Sequence, residues 1–418
     1  MKSKMLSLFQ VALIATLPPS VGTALSQSYQ VTNLGTPLGG SFALAAGISD
    51  GGFLGGYANL PNNTTQHALL WIPGSTRDLG TFGGTNSALL NQFAGFSETA
   101  AKDSLGQDFC GTGTHLVCLP LAAVTGKATS LPLLGGQNGT AFGNNLLGVV
   151  VGTAQTSVSD AGCLVGSKPI APFYQVQQSV PVEWIAGRAF QLPLYPGDPE
   201  GGANAINDLN QSVGASGDCV NAPTAHGLLW RGGNPLNLGN LGGSLNTNPF
   251  AINDLTQVTG TSDVAGDLTS HAFLWQNGVM QDLGTLPGDY YSVGYSINNL
   301  GQVVGQSCDV NGNCRAFLWS KGTMTDLNSL VGANQQLYLH LGASIDDLGV
   351  ITGYAIDKSN NTQPAFVLTP TLSFVAGAPA AAAHVEASPK VSVPAGAQAL
   401  VKPNLRTMRG SRQITPQQ

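Results

Sequence analysis

Ala251-Ile252-Asn253-Asp254-Leu255-Thr256-Gln257-Val258-Thr259-Gly260 decides the fold, because the chain says it again and again. It returns as Ser296-Ile297-Asn298-Asn299-Leu300-Gly301-Gln302-Val303-Val304-Gly305. Shorter copies are Ala205-Ile206-Asn207-Asp208 ahead of Gly214, Ser344-Ile345-Asp346-Asp347 ahead of Gly353, and Gly47-Ile48-Ser49-Asp50 ahead of Gly56. Degenerate copies at Leu90-Asn91-Gln92 and Gly143-Asn144-Asn145 bring the count to seven. Self-similarity at a long fixed period is the mark of a repeat architecture and outranks any local reading.

A second block follows each copy, clearest as His271-Ala272-Phe273-Leu274-Trp275, then Gln276-Asn277-Gly278, then Met280-Gln281-Asp282-Leu283-Gly284. It recurs at His67 to Trp71, His226 to Trp230 and Arg315 to Trp319, and more weakly at His115 to Pro120, Val182 to Trp184 and Pro364 to Leu368. All 5 tryptophans hold this one position. The regular units lie 44 or 45 residues apart, counted between Gly239, Gly284 and Asn328. Four β-prone segments in such a period predict a blade of four antiparallel strands, here called a to d from the centre outward. The Asn-Asp-x-Gly and Asn-Gly steps supply hairpin turns. A parallel β-helix would call for shorter coils with fewer hairpins.

The expected fold is therefore all-β, a seven-bladed propeller with units at 35–79, 80–133, 134–194, 195–238, 239–283, 284–327 and 328–370. The last unit has no d strand of its own. Tyr29-Gln30-Val31-Thr32-Asn33-Leu34-Gly35 has the d-strand pattern with no a, b or c strand before it, so residues 29–34 are expected to complete the last blade and leave no unpaired edge there.

The His-Ala-Phe-Leu-Trp and Ile-Asn-Asp-x-Gly-Gln-Val-x-Gly blocks resemble those of the HAF repeat family, a family of extracellular bacterial repeat proteins. The resemblance covers most of Tyr29 to Pro370, strongest in the fifth and sixth units and weakest in the second and third. It implies location and architecture and supplies no catalytic residue. A looser similarity to kelch-type propellers supports only the blade reading.

The ends and the composition agree with export. Lys2 and Lys4, an apolar run from Met5 to Leu17 and the small residues Ala24-Leu25-Ser26 have the plan of a secretory signal peptide over residues 1–26. That run is shorter than the roughly 20 residues a membrane-spanning helix needs, and no later stretch qualifies. Charged residues make up 9% of the chain while Gly numbers 55, a surface suited to an extracellular β protein. Between Gln27 and Phe374 there are 9 Lys and Arg against 21 Asp and Glu, a formal balance of −12. Nucleic acid, which demands a basic stripe, is excluded as a partner by that balance. Residues 375–418 form an Ala/Pro-rich tail of balance +4, expected to be disordered.

Six cysteines in an exported chain point first to disulfides. Cys308 and Cys314 flank a turn-rich loop, Cys110 and Cys118 are similarly local, and Cys163 with Cys219 is left by elimination, one pairing set among the 15 that six cysteines allow.

Most residues that resemble chemistry occupy repeat positions. His67, His115, His226 and His271 start equivalent c strands; spread around a ring of sheets about 10 Å apart, they cannot share one zinc with bonds near 2 Å. Asp50, Asp208, Asp254, Asp346, Asp347, Asp78, Asp282 and Asp326 likewise sit at prescribed turns or strand ends, where a carboxylate is expected to cap its own backbone. Asp309-x-Asn311-Gly312-Asn313 faintly resembles a calcium loop but lacks the downstream bidentate Glu. No metal or cofactor is expected.

Subtracting the repeat leaves the b–c and inter-blade loops, which share one face: the inserts 97–114 and 154–179, the loop Tyr195 to Glu200, and the pair Tyr290-Tyr291. Recognition carried on loops over a rigid scaffold suits such a face. The expected function is a secreted, monomeric, non-enzymatic binding module for a glycan, peptide or envelope component, with Tyr195, Tyr290 and Tyr291 as anchors and Asp198 and Asp289 as polar contacts. The alternatives are a propeller hydrolase or lyase with a central-channel site, and a structural surface protein.

Overall fold

The computed structural model describes residues 25–374 apart from 124–125, 160–163, 166–167, 170–176, 219–223 and 334. Residues 1–24, the tail 375–418 and the Cys163–Cys219 pairing lie outside the described residues.

The described chain is all-β and propeller-like, with no α-helix among the described residues and one 3-10 turn at Leu327–Ser329. Apart from a two-stranded pair of Leu164–Val165 with Lys168–Pro169, its sheets are four-stranded and antiparallel, laid down in chain order. The first three span residues 43–78, 83–130 and 135–191, and the sixth spans 291–326. The fourth and fifth, 200–237 and 242–284, are joined into one eight-stranded sheet by a single parallel bridge, Ala225 to Asn246. The seventh takes strands Leu337–Ile345, Ile351–Asp357 and Ala365–Phe374, and its outer strand is Leu25–Gly35, from the other end of the sequence. Tyr29, Leu339, Phe366 and Leu368 share the core that this pairing encloses.

One register repeats through the molecule. The c-strand tryptophan lies opposite the first paired residue of strand b in five sheets: Leu54 with Trp71, Val150 with Trp184, Ser212 with Trp230, Val258 with Trp275 and Val303 with Trp319. All five indoles are buried, so in these five sheets the block reads as it does because a large apolar plate packs between the strands.

The glycine of Ile-Asn-Asp-x-Gly-Gln-Val-x-Gly has an equally local cause. At Gly56, Gly260 and Gly305 an added Cβ would overlap the carbonyl oxygen of Leu44, Asn248 and Val293 on the adjoining a strand, and the same holds in the other four sheets. Only a residue without a Cβ admits that approach.

The approach accompanies a β-bulge. In six sheets the a–b register slips at one repeat position, between Ala45 and Gly47, Ala141 and Gly143, Ala203 and Ala205, Pro249 and Ala251, Gly294 and Ser296, and Gly342 and Ser344. A bulge leaves one residue unpaired and re-aims its side chain. Those bulged residues make the site described next.

Candidate functional site

The bulged residues Ala46, Phe142, Asn204, Phe250, Tyr295 and Ala343 all line one cavity of about 320 Å³. Phe42 and Tyr57 of the first sheet, Leu90 of the second and Tyr354 of the seventh complete it, so every sheet contributes. Its aromatic rings meet: Phe42 lies 5.7 Å from Tyr57 and 5.3 Å from Tyr354, and Phe250 lies 5.6 Å from Tyr295. No lining side chain is charged. His340, at a further bulge, stacks on Tyr354 at 5.1 Å with its Nδ1 buried and unpartnered. Burial lowers its imidazole to about 4, and burial, with the nearby Tyr295 and Tyr57 hydroxyls, raises the Tyr354 phenol far above its ordinary value. Both rings are neutral at physiological pH. This is the concave, uncharged chemistry of a small-molecule pocket, aromatic and aliphatic with several Asn, Gln and Ser groups, at the lower end of the usual size range.

At the a–b turns the inner strands are clasped to one another. Asn207 Oδ1 accepts the amides of Leu209 and Gln211, while its Nδ2 donates to the Asn253 carbonyl of the next sheet at 2.9 Å. Asn253 donates likewise to the Asn298 carbonyl, Asn298 to that of Asp346, and Asn145 to that of Asn207. The neighbouring position repeats the device: Asp254 accepts the Asp208 amide, Asp347 that of Asn299, and Asp208 that of Leu146. Self-capping, expected for all the repeat aspartates, therefore fails for Asp208, Asp254 and Asp347. An antiparallel hairpin turn brought against its neighbour exposes an amide within reach, and the carboxylate serves that one. Asp346, Asp78, Asp282 and Asp326 do accept amides of their own turns.

The c-strand histidines bind within the protein. His67 and His271 meet Asp78 and Asp282 of their own sheets at 2.9 and 3.0 Å, His226 meets Asp198 at 2.9 Å, and His115 Nδ1 lies 2.9 Å from the Gly106 carbonyl. Burial pushes the Asp282 carboxyl up, but the His271 hydrogen bond, the Gly284 amide and the His271 charge outweigh it and hold it below the ordinary range. Where the sixth sheet has Arg315 in place of histidine, its guanidinium bridges Asp289 at 2.9 Å and Asp326 at 3.4 Å. Among the described residues no group of three or more His, Cys, Asp or Glu is arranged to hold a metal ion.

The loop residues singled out from sequence fall into two groups, one beside the fourth sheet and one beside the sixth. Tyr195 stacks on His226 at 4.4 Å, and Asp198 receives Ser216 Oγ as well as His226. Farther along the chain, Asp289 is buried against Arg315, Tyr290 is 38% exposed with its hydroxyl donating to the Leu268 carbonyl, and the Tyr291 hydroxyl lies 3.8 Å from Cys314 Sγ. Both carboxylates are engaged by protein. Cys308–Cys314 and Cys110–Cys118 are disulfide-bonded, and Asp309 Oδ1 accepts the Asn311 and Asn313 amides inside the first loop.

The cavity aromatics went unread in the sequence. Phe142, Phe250 and Tyr295 stand two residues before the Ile-Asn step or its counterpart, a repeat position held elsewhere by Ala46, Asn204 and Ala343. That variation inside a constant frame was the available signal.

No family model matches the chain, and no characterised protein matches it in sequence. Among solved structures it is similar to a puromycin-hydrolyzing peptidase of Mycobacterium tuberculosis at 11% identity and TM-score 0.46, over 84% of this chain and 57% of that one. The chain thus spans little more than half of that protein's length. It is also similar to a triple mutant of AofleA from Arthrobotrys oligospora (10% identity, TM-score 0.35, 84% and 91% covered) and to a gluconolactonase of Xanthomonas campestris (11%, 0.33, 86% and 99%).

Proposed function

We propose that the chain is an exported seven-bladed β-propeller of the HAF repeat kind that works as a binding module, with its ligand in the central cavity. The observation that carries this reading is the repeated bulge: six sheets turn the bulged side chain to one place, and those residues are aromatic or small with Asn204 as the polar member and none charged. Large, stiff rings bury much area at little entropic cost, which is how binding sites obtain their affinity.

Closure of the ring is part of the proposal. The Ile48 amide meets Ser344 Oγ across the junction of first and seventh sheets as the Ile345 amide meets Ser296 Oγ across that of sixth and seventh. The Ala43 amide also donates to the Gln363 carbonyl. The junction where the chain's ends meet is thus built like one in its middle.

The test fills the cavity with residues the frame already accepts. Ala46→Phe with Ala343→Phe places at two bulges the residue that Phe142 and Phe250 place at two others. Purified protein is titrated with the fluorescent apolar probe N-phenyl-1-naphthylamine. The parent should bind it and the filled variant should lose binding at least tenfold with no fall in melting temperature. Retained binding in a folded filled variant refutes the cavity as the site; loss instead in Tyr290→Ala with Tyr291→Ala would place it on the loop face.

A further inference from the structure

We propose that the cavity takes an apolar ammonium ion, an organic cation whose charge sits toward the a–b turns and whose apolar part lies among the rings. This rests on the reading of the cavity as the ligand site and names the class of ligand.

Three independent features converge. The first is the wall. Phe42, Phe142, Phe250, Tyr57, Tyr295 and Tyr354 come from five sheets, and the negative faces of such rings attract a cation that has shed its water. The neutral phenol of Tyr354 and the neutral imidazole of His340 add no opposing charge.

The second is the field at the turns. Asp50, Asp208, Asp254, Asp346 and Asp347 each follow a lining isoleucine by one or two residues. The seven a–b turns contain no Lys or Arg. Among the described residues none of these five carboxylates is in an ion pair; the ion pairs lie at the His and Arg starts of the c strands. Asp346 itself reports this field, since burial and the charges of Asp50 and Asp347 raise its carboxyl above the ordinary value despite two amide hydrogen bonds. A concave site ringed by one sign of charge concentrates the opposite sign.

The third is the inventory of unsatisfied atoms. Asn144 lines the cavity with its Oδ1 buried and without a hydrogen-bond partner, an acceptor waiting for positive charge. Around the same turns Leu147, Leu209, Leu255, Leu300 and Leu348 are exposed at one repeat position, an apolar rim beside the acids. Apolar surface and negative charge side by side fit an amphiphilic cation and repel an anion.

The experiment compares two probes of one shape, benzyltrimethylammonium and its uncharged isostere neopentylbenzene, by calorimetric titration of the full chain. The cation should bind at least tenfold tighter at low salt, and the ratio should shrink as salt rises. Asp50→Asn/Asp346→Asn/Asp347→Asn should abolish most of that ratio and leave the neutral probe's affinity unchanged. Folding is protected, because Asn already holds the Asp346 position in four other sheets and Asn299 the Asp347 position in the sixth. Equal or tighter binding of the neutral isostere refutes the cation while the cavity stands as a ligand site. Binding of neither probe refutes the cation and the cavity together.

Discussion

Replacing Asp346 with Asn should stabilise the protein at pH 7, although it removes a charge from a turn whose sequence the repeat prescribes. In four other sheets the position is Asn145, Asn207, Asn253 or Asn298, and each does two jobs: its Oδ1 accepts amides of its own turn and its Nδ2 donates to the next sheet's carbonyl. Asp346 keeps the first job, accepting Leu348 and Val350 amides at 3.0 and 2.8 Å. Ionised, it has no proton for the second, and by repeat alignment the acceptor its amide counterpart would meet is the carbonyl of Ser49. The amide introduced by Asp346→Asn would add one inter-sheet hydrogen bond, about 1 kcal/mol net, and relieve repulsion from Asp50 and Asp347, giving a gain of about 1 to 2 kcal/mol. Unfolding entropy is about 2 cal/mol/K per residue, so over about 330 described residues the melting temperature should rise by roughly 2 °C. The sign with pH follows from linkage. A carboxyl raised in the folded state above the unfolded 3.8 binds its proton more tightly when folded, so the parent gains stability as pH falls through the raised value toward 3.8. The protonated acid can also donate, and the two proteins should converge near pH 3.5. Thermal denaturation at both pH values decides: an equal or lower melting temperature of the variant at pH 7, or a gap unchanged at pH 3.5, refutes the clasp reasoning.

His340, facing Tyr354 and held near 4 against 6.5 unfolded, takes its proton in the unfolded chain first, so stability should fall by about 3 kcal/mol between pH 6.5 and 4 at about 1.4 kcal/mol per pH unit; His340→Phe should lack that slope, and urea midpoints of equal slope in both proteins would count against it. Cys308→Ser with Cys314→Ser opens a loop of six-residue separation and should cost about 2 kcal/mol in the chain-entropy account, with an unchanged denaturation midpoint as the contrary result. Deleting residues 27–34 removes the outer strand of the seventh sheet and the buried Tyr29, so a lowered melting temperature or aggregation is expected; a truncated chain as stable and monomeric as the parent would show that this strand does not close the ring. Trp275→Ala should cost about 3 kcal/mol or more as a core truncation, measured against Tyr290→Ala, which should cost under 1 kcal/mol at its exposed position.

The sheets were legible because their causes recur in the chain at the repeat period. A buried Trp opposite the first residue of strand b leaves a Trp every 44 or 45 residues in the regular units, and a glycine forced by a carbonyl leaves a glycine in every unit. The displaced outer strand was legible for the same reason, since Tyr29 to Gly35 carries a pattern whose partners lie at the other end. Bulges leave no such trace. One residue more on strand a than on strand b is a fact about pairing, and Phe250 or Tyr295 reads from sequence as one more apolar residue of a strand. The inter-sheet destination of Asp208, Asp254 and Asp347 was hidden likewise, because an Asp in a turn looks the same whether it serves its own amide or its neighbour's.

The residues outside the repeat lie in inserted loops, where Asp198 and Asp289 are engaged by His226 and Arg315. A side chain that faces a sheet's core must fit one recurring environment, and so its identity repeats, as the Trp does in five sheets. A side chain turned to the shared axis meets only its counterparts and whatever they enclose, so its identity is free to differ from unit to unit. Phe142, Phe250 and Tyr295 beside Ala46, Asn204 and Ala343 show that freedom used: large on some sides, small on others, which shapes an off-centre space where seven identical residues could only make a symmetrical one. In the proposed seven-bladed ring, asymmetry at the axis is what a ligand without sevenfold symmetry requires, and the one frame position that varies in size and polarity is where such a ligand would be specified.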